Sequence, residues 1–487
     1  MQRRVAVPSA DLLALGVGAL ATFSAVEFMG RYGTGFGLGL TIGGCLLVAI
    51  IGAFAFAPHV AVAVAIPYFV LLPTLKVFVS ELLGATKDLI SIAAVVAALI
   101  LYVRRRAARR GSRVDRVVVI LMAFLFGLYL FNIGGNLSGE SGYGAAWFHG
   151  VRLFAEPLAL FLVGASLREP ARTFRWARTS LAVTAVLVAL VGIVQQFLGV
   201  DRLVLLGYTY GKEVRQLGPH LRSFGTLEEP FMYAGMLLLG VAVISLRGRT
   251  GPIALAALAV VGLGLMFSYV RTAAVISVAL IGLLIARRGH LRTAILLTAS
   301  AVVAGAVFFA AESDVQSQRT VRVNSNQYLT LNGRTTVWSA ALGHKRSAWV
   351  FGRGVGAVGT ASQRATESLT GTSSPTKPKT GTIVDSGYIA ALADVGFVGL
   401  AFLLALFGRL IFLAGNAARR GESSGWIALG LVTVMILDAL TRESLTGFPT
   451  AYVAMLVVGI ASATWAEPEP EREPAAEPAA VLVRAPA

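Results

Sequence analysis

The sequence predicts an all-α protein, a polytopic bundle of about fourteen transmembrane helices with one long extracytoplasmic loop that contains short helices. Three observations lead there. Of the 487 residues, 56% are hydrophobic and only 14% charged, and the mean hydropathy is +0.75, well outside the range of soluble domains. Runs of about 17–25 apolar residues, each long enough to cross roughly 30 Å of hydrocarbon as a helix, recur along the chain. Basic residues gather in the short segments between alternate runs.

Taken in order, the predicted spans are 9–29, 36–57, 59–75, 88–103, 115–133, 148–167, 178–198, 229–246, 252–268, 272–286, 292–311, 385–413, 425–441 and 449–465. The first closely follows Arg3 and Arg4 and lacks a small-residue cleavage site, so it reads as a span and not as a cleaved signal. Arg104, Arg105, Arg106, Arg109, Arg110 and Arg113 follow the fourth span, and Arg168, Arg172, Arg175 and Arg178 separate the sixth from the seventh. Arg247 and Arg249, then Arg287, Arg288 and Arg292, then Arg419 and Arg420 continue the series. With fourteen spans every cluster falls on one side, which the positive-inside rule makes the cytoplasm, and both termini lie there too. Residues 1–465 are thus expected to form the membrane domain. The Pro-, Glu- and Ala-rich stretch 466–487 cannot build a core and is expected to be a disordered cytoplasmic tail. Cys45, the single cysteine, lies inside a span, which excludes an intramolecular disulfide. His149, His220, His290 and His344 have no metal-ligand spacing, so no metal is expected.

Two outer loops, about 199–228 and 312–384, are longer than connectors need to be. In the second, NGRTTVWSAALGHKRSAWVFGRGVG is predicted to form a short surface helix with Val337, Trp338, Ala341 and Leu342 on one side. The Gly/Ser/Thr/Pro-rich stretch after it is of the kind that forms lids. Both loops break the positive-inside trend: Lys212, Arg215 and Arg222 in the first, Arg319, Arg322, Arg334, Lys345, Arg346 and Arg353 in the second, and Arg271 in the tight SYVRT turn. Guanidinium groups match phosphate oxygens and stay charged at any relevant pH. Gathered at an outer membrane face they point to an anionic ligand, a lipid-linked phosphate or pyrophosphate. The competing explanation is that they snorkel and anchor helix ends among headgroups.

Four segments, in order, resemble the O-antigen ligase and polysaccharide polymerase superfamily of membrane glycosyltransferases. LRSFGTLEEPFMYAGMLL resembles that family's Arg-x-x-Gly-Thr-(Phe/Leu)-x-x-Pro segment opening a span. LMFSYVRTAAVISVAL resembles its Ser-Arg turn, with Tyr269 and Val270 between Ser268 and Arg271. NGRTTVWSAALGHKRSAWVFGRGVG resembles its Arg-x-x-x-Trp helix with a Gly-x-Gly exit, and VDSGYIAALADVGFVGLAFLL its (His/Asp)-(Asn/Ser)-x-Tyr segment. The resemblance covers residues 200–413. It implies an outward-facing enzyme of the bacterial cytoplasmic membrane, without metal or cofactor, that transfers a glycan from undecaprenyl pyrophosphate to an acceptor hydroxyl. Arg222 and Arg271 would hold the pyrophosphate, and Arg334 would assist or bind the acceptor; Arg215, Glu228 and Tyr388 join the candidate substrate contacts. Its partners would be the lipid-linked glycan, a glycan or lipid acceptor, membrane lipids and other polysaccharide assembly and export proteins. Nothing in the chain calls for nucleic acid.

The sequence departs from the ligase pattern at Asp385 and Ser386, where that pattern has His and Asn; aspartate there leans toward a polymerase. Asp385 could take the acceptor proton, or cap the helix that follows, or both. Glu228 and Glu229 stand where the family has Asn. They suit a helix start, as Pro230 does, and Glu228 could also orient Arg222. Asp394 is a lesser candidate. Arg152 with Glu156 and Asp438 with Arg442 read as internal ion pairs. A ligase that attaches finished polymer, and a flippase or transporter of lipid-linked glycan, are the alternatives.

Overall fold

The computed structural model describes residues 34–79, 83–84, 86–107, 114–132, 143–208, 216–217, 220–248, 251–290, 347–356, 358–359, 386–443 and 445–465. The predicted spans 9–29 and 292–311, the surface helix around Trp338 and the tail 466–487 lie outside these residues. The regular structure described is helical apart from one two-residue antiparallel pair. In chain order the helices are α1 (Thr34–Phe56), α2 (Pro58–Phe78), α3 (Thr86–Ala107), α4 (Arg116–Phe131), α5 (Tyr143–Ser166), α6 (Pro170–Leu205), α7 (Pro230–Ser245), α8 (Pro252–Ser268), α9 (Arg271–Arg287), α10 (Ser347–Phe351), α11 (Gly387–Arg419), α12 (Ser423–Asp438) and α13 (Thr450–Trp465). Strands β1 (Gln216–Leu217) and β2 (His220–Leu221) pair just before α7.

Each predicted run within the described residues is a helix. Four of them, Pro58–Phe78, Ala146–Ser166 (within α5), Pro170–Leu205 and Gly387–Arg419, are long and apolar enough to cross a membrane; several others are apolar but 10–17 residues long. Helices α7 and α13 are apolar on all sides and form the centre of the bundle, so no amphipathic stripe marks them. α13 lies along α5 at backbone contact. A Cβ on Gly164 would meet the Leu456 carbonyl at 2.4 Å, and one on Gly459 the Phe161 carbonyl at 2.1 Å, the close approach that small residues allow. The peripheral helices turn large apolar side chains outward: Phe131, Phe197, Leu205 and Ile253 are 79%, 81%, 86% and 85% exposed. A continuous apolar exterior of this kind suits hydrocarbon and not water.

Two expectations are corrected. The first outer loop does not begin at residue 199. Gly199 is a kink (φ 71°, ψ 173°), and the chain resumes helix to Leu205. The run 385–413 is not one smooth helix either. α11 continues to Arg419 and breaks at Gly396 (φ 68°, ψ −168°).

The polar side chains separate by end. At one end Arg287 donates to the Leu246 carbonyl and to Ser423, while Thr464 and Trp465 donate to Ser424. On the same side Arg409 grips Asp115, the N-cap of α4, with two hydrogen bonds of 3.2 and 2.7 Å. All the side chains considered next lie at the opposite end, where α2 and α12 finish and α3, α5, α7, α11 and α13 begin.

Candidate functional site

The segment from Arg222 to Leu227 is an irregular strip of chain that is nevertheless buried, so its backbone needs internal partners. Two glutamines from the apolar interior of α6 supply them. Gln195 Oε1 accepts from the Phe224 and Gly225 amides (3.1 and 2.9 Å), and its Nε2 donates to the Gly225 carbonyl at 2.7 Å. Gln196 donates to the Leu221 carbonyl and to Ser223, whose hydroxyl donates to the Gly192 carbonyl. Helix α2 closes the other side: Thr226 donates to the Val70 carbonyl, and Thr74 donates to that of Thr226. Gly225 turns the chain at φ 58°, and a Cβ there would lie 2.7 Å from the ring of Tyr233, so only glycine fits. Pro230 opens α7, as expected.

This clamp puts Arg222 against the turn between α8 and α9. The Ser223 amide donates to the Phe267 carbonyl at 2.8 Å, and Arg222 Nε donates to the Ser268 carbonyl at 3.2 Å. The guanidinium, part of a residue only 8% exposed, lies 4.6 Å over the Phe231 ring. Its two Nη groups have no hydrogen-bond partner among the described residues. Tyr269, in the left-handed region at φ 50°, ends α8, and Arg271 is the first residue of α9. Burial, and then the charge of Arg271, push the Arg222 guanidinium below its usual value, while Glu229 opposes them. Two cations that repel one another thus meet at the amino end of a helix, where backbone amides also face outward. The arrangement is suited to an anion.

Several other charged groups at this end pair with one another. Glu228 takes Lys76, at the end of α2, at 3.1 Å, and both are well exposed. Glu229 is the N-cap position of α7 but makes no side-chain capping bond. Arg152 and Glu156 approach at 3.8 Å as the sequence predicts, inside a larger network. Lys87 Nζ reaches Asp88 (2.6 Å) and Glu156 (3.3 Å), Arg152 reaches Asp88 (3.0 Å), and Tyr452 donates to Glu156. Lys87 also lies over the rings of Phe448 and Tyr452. Arg442 binds Asp438 at 2.6 Å, again the predicted pair.

The break in α11 holds the last feature. Residues 350–356 wedge into it. A Cβ on Gly396 would lie 2.2 Å from the Val350 carbonyl, and one on Gly352 would lie 2.3 Å from the Asp394 carbonyl. The Arg353 amide donates to the Ala393 carbonyl, Asn132 donates to the carbonyls of Phe351 and Asp394, and the Gly356 amide donates to Asp394 Oδ1 at 3.2 Å. The GRGVG stretch and Asn132 thus satisfy the carbonyls of Ala393 and Asp394 at the break, and Gly352, Gly354 and Gly356 in that stretch all take positive φ.

Of the candidate residues, Arg222 and Arg271 come together, with Glu228 six residues along the same strip. Tyr388 stands apart in the first turn of α11 and donates its hydroxyl to the Ile436 carbonyl of α12 at 2.9 Å. Asp385, Arg334 and Arg215 lie outside the described residues, as does Trp338. Ser386 is described: it is buried, and its hydroxyl and the Gly387 amide are tied to the Ala439 carbonyl. Sequence reading missed Gln195, Gln196, Lys76, Lys87 and Asn132. The adjacent glutamines inside an apolar run were the available signal, because a polar side chain at that depth needs a partner. Among the described residues no three His, Cys, Asp or Glu side chains gather as metal ligands. No model of a known protein family matches the chain, and no curated protein matches it either.

Proposed function

We propose that the protein is an outward-facing membrane glycosyltransferase that passes a glycan from undecaprenyl pyrophosphate to an acceptor hydroxyl, polymerising surface polysaccharide repeat units. The chain would cross the membrane about fourteen times with both ends in the cytoplasm. The observation that carries the reading is the meeting of Arg222 and Arg271 at the amino end of α9, with the Nη groups of a buried Arg222 unpartnered among the described residues. A buried guanidinium that leaves its Nη donors unbonded is unfavourable, and an incoming pyrophosphate would relieve that. As the acceptor oxygen bonds to the anomeric carbon, the bond from that carbon to the pyrophosphate breaks and its electrons stay on the leaving phosphate. Fixed guanidinium groups stabilise that charge. A carboxylate takes the acceptor proton, and Asp385 is the candidate from the resemblance.

The test is mass spectrometry of lipid-linked glycans from cells lacking the protein, complemented with the natural chain or with Arg222→Ala. Single repeat units on undecaprenyl pyrophosphate should accumulate in the deletion and with Arg222→Ala. Full-length polymer retained on the lipid would make the protein a ligase instead. An unchanged lipid-linked pool in the deletion would remove the glycosyltransferase reading altogether.

A further inference from the structure

At the end opposite Arg222, the register of two helices brings arginines together. Helices α6 and α7 run antiparallel in close contact: a Cβ on Gly192 would collide with the Tyr233 hydroxyl, and one on Gly240 with the Cβ of Ala185. These contacts lie seven residues apart on each helix, and seven residues further stand Arg178 on α6 and Arg247 just past the end of α7. Two turns return to nearly the same face of a helix, so Arg247 comes level with Arg178 on adjoining faces. The charges of Arg247 and of Arg175, one turn before Arg178, both act against that of Arg178. Arg287 of α9 lies beside them, its guanidinium 3.4 Å from where a Cβ on Gly248 would stand. Its hydrogen bonds go to neutral groups, the Leu246 carbonyl and the Ser423 hydroxyl. The carboxylates described at this end, Glu169, Glu422 and Asp115, are held by Arg172, Arg420 and Arg409. Among the described residues, Arg175, Arg178, Arg247 and Arg287 have no ion pair.

Guanidinium groups gathered in this way repel one another, and an anion among them turns the repulsion into attraction. The surroundings indicate which anion. Trp176, half exposed and packed on the His59 ring at 5.6 Å, stands on the same stretch of α6 as Arg175 and Arg178. Tryptophan rings so placed sit at the headgroup level of a bilayer. Ile253, largely exposed, lies in the first turn of α8, directly after the Arg247 segment. An apolar surface therefore begins where the arginines end. A free ion meets only the charge, whereas a phospholipid meets the charge and the apolar surface together. We propose that Arg175, Arg178 and Arg247, with Arg287 beside them, hold the headgroup of an anionic phospholipid whose acyl chains run over Ile253. The guanidinium forks receive the phosphodiester oxygens. This site requires only that the helices cross a membrane, and it stands whether or not the opposite end transfers a glycan.

The test is native mass spectrometry of the purified full chain, released from detergent micelles that carry phosphatidylglycerol and phosphatidylcholine of identical acyl chains in equal amounts. The natural protein should retain phosphatidylglycerol in preference. Arg178→Gln combined with Arg247→Gln should lower that preference about tenfold or more, at roughly fivefold for each arginine. Arg419→Gln combined with Arg420→Gln removes the same charge from two exposed arginines at the end of α11 and should leave the preference unchanged. If the first double variant fails to elute as folded protein, Arg175→Gln with Arg247→Gln replaces it with the same expectation. A natural protein without the preference overturns the site. So does an equal loss in the two double variants, since the arginines would then act only as net charge. A preference that appears only when the chain is cut after Trp465 would mean that the glutamates of 466–487 hold the arginines instead. Displacement of the lipid by an equal concentration of inorganic phosphate would make the ligand a free anion. Either result also overturns the proposal.

Discussion

Gln195 is the side chain on which the Arg222 strip hangs, and Gln195→Leu removes it at nearly constant volume. Gln195 is 2% exposed and Phe224 0%, so water cannot replace the lost partner without opening the bundle. Three backbone groups lose a hydrogen bond: the amides of Phe224 and Gly225, and the Gly225 carbonyl. At about 1–3 kcal/mol for each buried group left unsatisfied, the variant should lose at least about 3 kcal/mol if the strip stays in place. If the strip moves out instead, Arg222 moves with it and the lipid-linked donor should accumulate. Gln196→Leu is the control. It frees the Leu221 carbonyl, but Ser223 keeps its bond to Gly192, so its effect should be smaller. Thermal unfolding by circular dichroism in detergent, together with the lipid-linked glycan pool, reads both arms. If Gln195→Leu melts with the natural protein and leaves the pool unchanged, the glutamine clamp does not hold the strip and the account of Arg222 fails.

Gly396→Ala should prevent accumulation of folded protein, because the new Cβ meets a backbone carbonyl at 2.2 Å at a positive φ; size-exclusion profiles of purified protein check it, and a monodisperse variant would refute the wedge at the α11 break. Arg409→Met removes both hydrogen bonds to the Asp115 carboxylate and should lower thermal stability by about 1–3 kcal/mol, read by circular dichroism in detergent; a variant that melts with the natural protein would mean that this pair does not tie α11 to α4. Lys76→Met should change thermal stability by less than about 1 kcal/mol, since the Lys76–Glu228 pair is well exposed; a larger loss would mean that Lys76 does more than pair with Glu228.

The positions of the helices could be read in the sequence because length and apolarity are local properties: the run 252–268 and the helix Pro252–Ser268 coincide. The Arg152–Glu156 and Asp438–Arg442 pairs were legible for the same reason, each being four residues apart on one helix. Lys87 was not, since its partner Glu156 comes from another helix 69 residues away. Nor was the break at Gly396 legible, because VGFVG reads as unbroken helix until the GRGVG segment is brought to its open carbonyls. Arg222 and Arg271 could each be singled out as arginines at helix mouths. That they meet was decided by Gln195, Gln196 and the α8–α9 turn, through hydrogen bonds between residues distant in sequence. Composition and hydrophobic length determine which segments leave water, whereas the pairing of their polar groups depends on which helices become neighbours.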